Sequence, residues 1–565
     1  MESPARLPVV LLWHMHQPQY RDALTGRYVL PWTYLHAIKD YTDMAAHLED
    51  NPAARAVMNF SAVLLDQLDE LSQRVHQHLG TGAALPDPVL GLLGPDPVPT
   101  EPALRLALLA ACLRAHRKNL VERFPPFLAL VNSAQPYASL EHISGASDAL
   151  IHDLATWYHL AWMGETVRRT DARVAALGTQ VSGFTAAQRR ELLEVIGELL
   201  AGIIPRYRRL HEAGQCELSV TPYSHPLLPL LFDFAAARES VPDSPLPQHP
   251  RYPGGAERAQ WQVAESVRTF EKYFGVRPAG CWPAEGAIND ATLQLLDAQG
   301  FNWAASSASV LRRALAASHL NPDAADSYNR PYHLAGTRLN CFFREEELSD
   351  RIGFTYSSWR GDDAANNLVH DLAGMAQAST TAGPGRAVLI ALDGENAWEY
   401  YPFNGYWFLQ ALYAGLAAHP QLELMTLSQC LSRGMQPVPL QHVPAGSWVQ
   451  GTLATWMGDA AKNRGWDLLC EAKRTFDEVL AAGTLDEVAR QSATRQLALC
   501  ESSDWFWWFG DYNPAEAVSQ FDQLYRRQLL NLYQLLGRAA PAALSRPISQ
   551  GSGDRENGGV MRRAE

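Results

Sequence analysis

The chain has 565 residues, 47% of them hydrophobic and 19% charged, with a net charge of −13. The length predicts one large domain and at least one smaller one, and the composition excludes a disordered chain. The acidic balance argues against nucleic acid and against an anionic membrane surface as partners, because both require basic surface. Seven cysteines (112, 216, 281, 341, 430, 470 and 500) are scattered, odd in number and form no CxxC pair. That pattern predicts reduced thiols in a cytoplasmic protein, not a disulfide framework or a zinc knuckle. The 16 Trp are mostly core residues on this reading, with a few left as flat platforms.

The first predicted element is a buried strand over residues 9–13, an apolar run too short for a signal segment or a membrane span. It stops at His14-Met15-His16-Gln17-Pro18, where the proline ends pairing. Residues 33–75, 101–131 and 147–213 carry helical spacing, notably 186–204, and the Gly- and Pro-rich stretch 80–99 reads as loop. A strand follows at 216–220, then Thr221-Pro222-Tyr223-Ser224-His225. Residues 237–255 are Pro-rich loop, and 257–274 form an amphipathic helix closed by Gly275. A strand at 276–281 leads into Trp282-Pro283-Ala284-Glu285, and a helix at 291–299 precedes a strand at 301–305. The clearest buried strand is 387–392 (AVLIAL), ending on Asp393. A further strand is expected at 422–425. Helices are expected at 467–482, 485–500 and 515–536, with a disordered tail over 541–565.

Strands alternate with helices, and polar groups follow several strand ends, the arrangement by which parallel α/β barrels build their sites. An open doubly wound sheet is equally compatible with the alternation, but no Gly-rich phosphate loop accompanies it. Glu285 and Asp393 each follow an apolar strand, where a carboxyl borders a low-dielectric core. Two such carboxyls facing one cleft suffice for glycoside hydrolysis. Taken singly, each is equally explained as a helix cap or loop-end acid. His14 and His16, with His225 and Asp393, would also make a zinc site, or neutral imidazoles for sugar hydroxyls. Glu395 and Glu399 lie beside the second acid. Asp504-Trp505-Phe506-Trp507-Trp508 reads either as a wall of a sugar site or as a domain-interface anchor.

Together these segments resemble glycoside hydrolase family 57. Five motifs stand in the family's order: His14-Met15-His16-Gln17-Pro18; Gly214-Gln215-Cys216-Glu217 running to His225; Gly280-Cys281-Trp282-Pro283-Ala284-Glu285; Asp393-Gly394-Glu395-Asn396-Ala397-Trp398-Glu399; and the segment from Glu501 to Trp508. The DGENAWEYYP string and Gly446-Ser447-Trp448 with Thr455-Trp456-Met457-Gly458 resemble its amylopullulanase and α-amylase-like branch. In one departure, Ser306-Ser307-Ala308-Ser309 stands where the family often has an acidic pair.

The resemblance implies an α/β fold: an incomplete (β/α)7 barrel over 1–430, with a helical insertion at about 33–213, then a C-terminal α-helical bundle over 431–540. It implies a retaining glycosidase acting on α-glucans or malto-oligosaccharides, with Glu285 as nucleophile and Asp393 as acid/base. Sugar contacts are implied for His14, His16, Gln17, Glu217, His225, Trp282, Glu395, Trp398, Trp456, Asp504 and Trp505. No metal and no other cofactor is implied. The acid/base role predicts that Asp393 holds its proton more tightly than Glu285. Linkage preference, hydrolysis against transglycosylation, and oligomeric state are left open. The rivals are a metal-dependent carbohydrate hydrolase or deacetylase and a glucan-binding protein without turnover.

Overall fold

The computed structural model describes residues 6–324, 327–378 and 385–553. Ten strands are present among them: β1 (Leu7–Met15), β2 (Ala56–Ser61), β3 (Cys216–Thr221), β4 (Gly280–Cys281), β5 (Trp303–Ser307), β6 (Tyr332–Leu334), β7 (Asn340–Arg344), β8 (Val388–Asp393), β9 (Leu422–Leu424) and β10 (Val438–Leu440). Seven of them close a parallel barrel in the order β1-β2-β3-β4-β5-β7-β8, with β8 returning to β1 over six residue pairs. Two joints are thin. β3 meets β4 only at Val220↔Cys281, and β7 meets β8 only at Arg344↔Leu389. Outside the ring, β9 extends β1, while β6 and β10 add to the edge of β7.

The alternation of strand side chains sorts the barrel. Val10 and Leu12 on β1, Val57 on β2 and Leu389 and Ala391 on β8 form the interior, with Trp282, Trp303 and Phe342. Val9, Leu11, Trp13 and Met15 face the surrounding helices. The inward series therefore ends on polar residues at the C-terminal rim: His14 after Leu12, Asn59 after Val57, Asp393 after Ala391. The register places His14 beside both Asn59 and Asp393. Gly280 is needed for this interior, since a Cβ there would lie 1.8 Å from the Trp303 indole.

Several expectations need correction. Residues 33–75 are not continuously helical: β2 interrupts them, and the long helical stretch runs from Ala62 to Glu212, between β2 and β3. The predicted helix 186–204 continues through Pro205 to Glu212, starting from a capping box between Thr185 and Gln188. Strands β6, β7 and β10 were not anticipated. The C-terminal part is helical as expected, with helices Ala460–Ala481, Glu487–Cys500, Asp504–Trp508 and Ala515–Leu535. Residues 541–553 are not a free tail. Ser552 and Gly553 donate to the backbone of Asp511 and Asn513, and Ser549 N–H donates to Asp522. The rest of the predicted disordered tail, 554–565, lies outside the described residues.

The helical C-terminal part is anchored on the barrel by a buried ion pair. Arg258 meets Glu501 through two bonds of 2.6 and 2.9 Å, and Tyr252 and Gln262 donate to the same carboxylate. Arg258 sits on the helix Gly255–Phe274. Glu501 thus fixes the following residues, Ser502 to Trp508, over the barrel mouth.

Candidate active site

The barrel mouth is a cavity of about 340 Å³ lined by His14, His16, Glu285, Asp393, Glu395 and Asp504, with tryptophans 448, 507 and 508. Glu285 arrives on a sharp turn after β4. Its φ of 58° is left-handed, a conformation that costs a non-glycine residue about 1–3 kcal/mol and persists only where surroundings fix it. Here Trp448 fixes it twice: its backbone N–H donates to the Glu285 carbonyl at 2.9 Å and its indole N–H to Oε2 at 3.0 Å. Ser503 Oγ is 3.1 Å from Oε1. Asp393 ends β8 and accepts from Asn396 Nδ2 at 2.8 Å.

Both carboxyls are pushed towards the neutral form. Burial raises Glu285 to about 8, helped by the charges of Asp393 and Asp504 and opposed by its bonds from Trp448 and Ser503. Burial raises Asp393 to about 6, opposed by Asn396, His16 and Arg344. This order reverses the expectation that Asp393 would be the more tightly protonated. The reason is local: the charges of Asp393 and Asp504 both raise Glu285, whereas for Asp393 the effect of Asp504 comes after those of Asn396, His16 and Arg344, which lower it. The two groups titrate as a coupled set, and between the two values the pair holds one proton.

The histidines form a stack. His16 and His225 lie 3.8 Å apart between ring centroids, and His14 and His225 touch through Nε2 atoms 3.0 Å apart. Burial, then the neighbouring His16, lowers His14 to about 3, and burial lowers His225 strongly, so both are neutral imidazoles at working pH. Asn59 Oδ1, 2.7 Å away, accepts from His14 Nδ1. That leaves His14 Nε2 to accept from His225, whose Nδ1 is 2.8 Å from Ser503 Oγ. Ser503 Oγ thus lies between His225 Nδ1 and Glu285 Oε1, and its one proton can be given to either.

The remaining expected residues divide. His16 binds Asp504 at 2.9 Å and Ser61 at 2.7 Å, and its backbone N–H donates to Glu395. Glu395 also accepts from Gln17 and Tyr41, and burial holds its carboxyl high. Gln17 and His225 line the cavity. Glu217 does not. It faces the barrel interior at the start of β3, four residues below the rim, where Trp303 Nε1 and Ser428 hold it. Trp398 packs under the Asp393 loop with its N–H on the Gly394 carbonyl, and Trp505 is buried with its N–H on Leu499. Trp456 is buried against Trp507, and Trp282 lies beneath Trp448 and His14. These four tryptophans support the cavity and are absent from its lining.

Lining residues not singled out as sugar contacts include Arg344, Trp448 and, from the first helical segment, Trp32, His36 and Trp162, while Trp507 and Trp508 were read only as part of the aromatic segment that either walls a sugar site or anchors a domain interface. Positions 504, 507 and 508 share one helix face, so the spacing that brings Asp504 inward also selects Trp507 and Trp508 over Trp505. The Ser306-Ser307 departure is internal: Ser306 Oγ donates to the Gly286 carbonyl and Ser307 Oγ to the Ser447 carbonyl, both outside the lining. For a cation, the donor atoms that converge within 4.8 Å are those of His16, His225 and Asp504, with Asp393 not among them.

The profile of glycosyl hydrolase family 57 matches residues 10–443. Among solved structures, the fold is similar to a family 57 branching enzyme from Thermococcus kodakaraensis (TM-score 0.58, 14% identity, 94% of this chain and 89% of that one). It is also similar to a family 57-type branching enzyme from Pyrococcus horikoshii (0.57, 15%, 95% and 96%) and to the α-amylase AmyC from Thermotoga maritima (0.55, 14%, 96% and 96%).

Proposed function

The chain belongs to glycosyl hydrolase family 57, and from that premise we propose that it is a retaining glycosidase acting on α-glucosidic bonds of starch- or glycogen-type glucans and maltodextrins. What carries the reading is the pairing of Glu285 and Asp393 in one cavity, both with raised affinity for protons, beside neutral imidazoles and tryptophan platforms. Ionised Glu285 attacks the anomeric carbon. The glycosidic C–O bond breaks towards the leaving oxygen, which takes its proton from Asp393. Water then adds to the glycosyl ester, giving its proton to Asp393 and releasing Glu285. The pair carries the one proton this cycle needs. The mechanism requires that proton on Asp393, the carboxyl that the glycosidic oxygen meets. The α-amylase-like branch, α-1,4 cleavage and a cytoplasmic location complete the proposal. All seven cysteines are buried free thiols, which suits a reducing compartment.

Product separation tests it. Wild type and Glu285→Gln are incubated with amylose, pullulan and maltoheptaose, with and without EDTA. Shorter glucans from wild type alone, in both EDTA arms, support the reading. Products longer than maltoheptaose reassign the chain to transglycosylation, the reading favoured by its likeness to branching enzymes. Loss with EDTA overturns the two-carboxyl mechanism in favour of the His16, His225 and Asp504 cluster.

A further inference from the structure

The large exposed hydrophobic residues are unevenly distributed by type. Among the described residues nine are aliphatic and scattered, whereas the four aromatic ones, Trp359, Tyr400, Phe403 and Trp407, fall within 49 positions of sequence and are 39–47% exposed. Two of the four, Phe403 and Trp407, are joined in space by one chain of contacts. The Arg123 guanidinium lies 4.5 Å from the Phe403 ring centre, and Arg169 lies 5.0 Å from that of Trp407. Glu165 bridges the two arginines at 2.6 and 2.8 Å. His116 abuts Tyr400 at 5.3 Å. Trp359 reaches the group through Gly361, where a Cβ would lie 2.9 Å from the Trp407 Cβ.

The backbone is bent to present this surface. Phe403, Asn404 and Gly405 are left-handed in succession, with φ of 56°, 54° and 71°. A phenylalanine in that conformation is strained and, 41% exposed, gains little burial in return. The turn is held from below: Asn404 donates to Asp43 at 2.9 Å and accepts from Lys39 at 3.1 Å. Guanidiniums lie over the Phe403 and Trp407 rings, and both residues stay 41–47% exposed. The stretch is close in sequence to the cavity lining, which includes Glu399, next to Tyr400, and Phe354, five residues before Trp359.

We propose that Trp359, Tyr400, Phe403 and Trp407 form a second binding surface for an α-glucan chain, outside the cavity. This rests on the glucan reading of the cavity. Flat rings backed by cations suit the apolar faces of successive glucose units, and Arg123 and Arg169 supply donors for hydroxyls. Holding a polymer at two linked places raises its effective concentration at the cavity, an advantage that short maltodextrins cannot use.

The test uses the full chain carrying Trp359→Ala, Phe403→Ala and Trp407→Ala together, and separately the single variants Trp407→Ala and Trp407→Phe. Retardation in native gels containing glycogen is measured in the Glu285→Gln background, and kinetics on amylopectin and maltoheptaose in the active one. The triple variant is expected to lose at least fivefold in glycogen retardation and to show a KM for amylopectin raised about three- to tenfold, with maltoheptaose kinetics and melting temperature unchanged. Trp407→Phe, which keeps a ring, is expected to retain most of the retardation that Trp407→Ala loses. Retardation unchanged in the triple variant overturns the proposal while leaving the cavity reading intact. So does loss of self-association in size-exclusion chromatography with retardation kept, which would make the surface an interface between copies. Failure of the wild type to cleave any α-glucan sinks the cavity reading instead.

Discussion

Glu285 combines a strained backbone, a buried carboxyl and two donors from distant segments. Its proton affinity sets measurable behaviour. With the pair titrating near 6 and near 8, kcat/KM follows a bell: it rises as the first proton leaves and falls as the second does. Initial rates on maltoheptaose from pH 4 to 10 check this, and a single limb would contradict it. The Trp448 indole N–H lowers the affinity of Glu285 for its proton, so Trp448→Phe is expected to move the alkaline limb upward and to reduce kcat. Asp393→Asn is expected to lower kcat about 10²–10⁴-fold, the usual span for losing a general acid. Stability follows the same group. A glutamate that ionises near 4.5 unfolded and near 8 folded loses stability as pH rises through that window, because the unfolded chain has already released the proton. Glu285→Gln lacks the loss, so its melting temperature advantage over wild type is expected to widen from pH 5 to pH 8. A constant gap would show that burial does not hold Glu285 neutral.

At the scale of elements, the site depends on the segment Glu501 to Trp508 being seated on the barrel. Removing one partner of a buried ion pair costs about 3–5 kcal/mol, so Glu501→Gln is expected to lower stability by that order and to loosen Ser503 and Asp504. Chemical denaturation measures the first effect, and the alkaline limb of the pH profile reports the second through the Ser503 bond. The barrel's main strands were legible in sequence because β1 and β8 are uninterrupted apolar runs that end on His14 and Asp393. β2 was not legible: its AVMNFS run lies between helices of similar apolar content, so the period of two never stands clear. Glu217 shows another limit. Strand parity says that it points inward, but not how far below the rim it sits. Trp505 was chosen for composition, whereas the three-and-four spacing from Asp504 selects its neighbours Trp507 and Trp508.

Over the whole molecule, the barrel supplies the carboxyls, the C-terminal helices supply Ser503, Asp504 and two platforms, and the first helical segment supplies Trp32, His36 and Trp162. The cavity is therefore built from three regions of sequence, and no single region is sufficient for it. The central claim is that Glu285 forms a bond to the sugar, and azide rescue tests it most directly. Glycine suits the left-handed backbone at position 285 and leaves room for a small anion, so Glu285→Gly is the variant of choice. Given an activated α-maltosyl fluoride, it is expected to turn over slowly alone and at least tenfold faster with azide, releasing the β-configured glycosyl azide. No response to azide, or an α-configured azide product, would contradict Glu285 as the nucleophile.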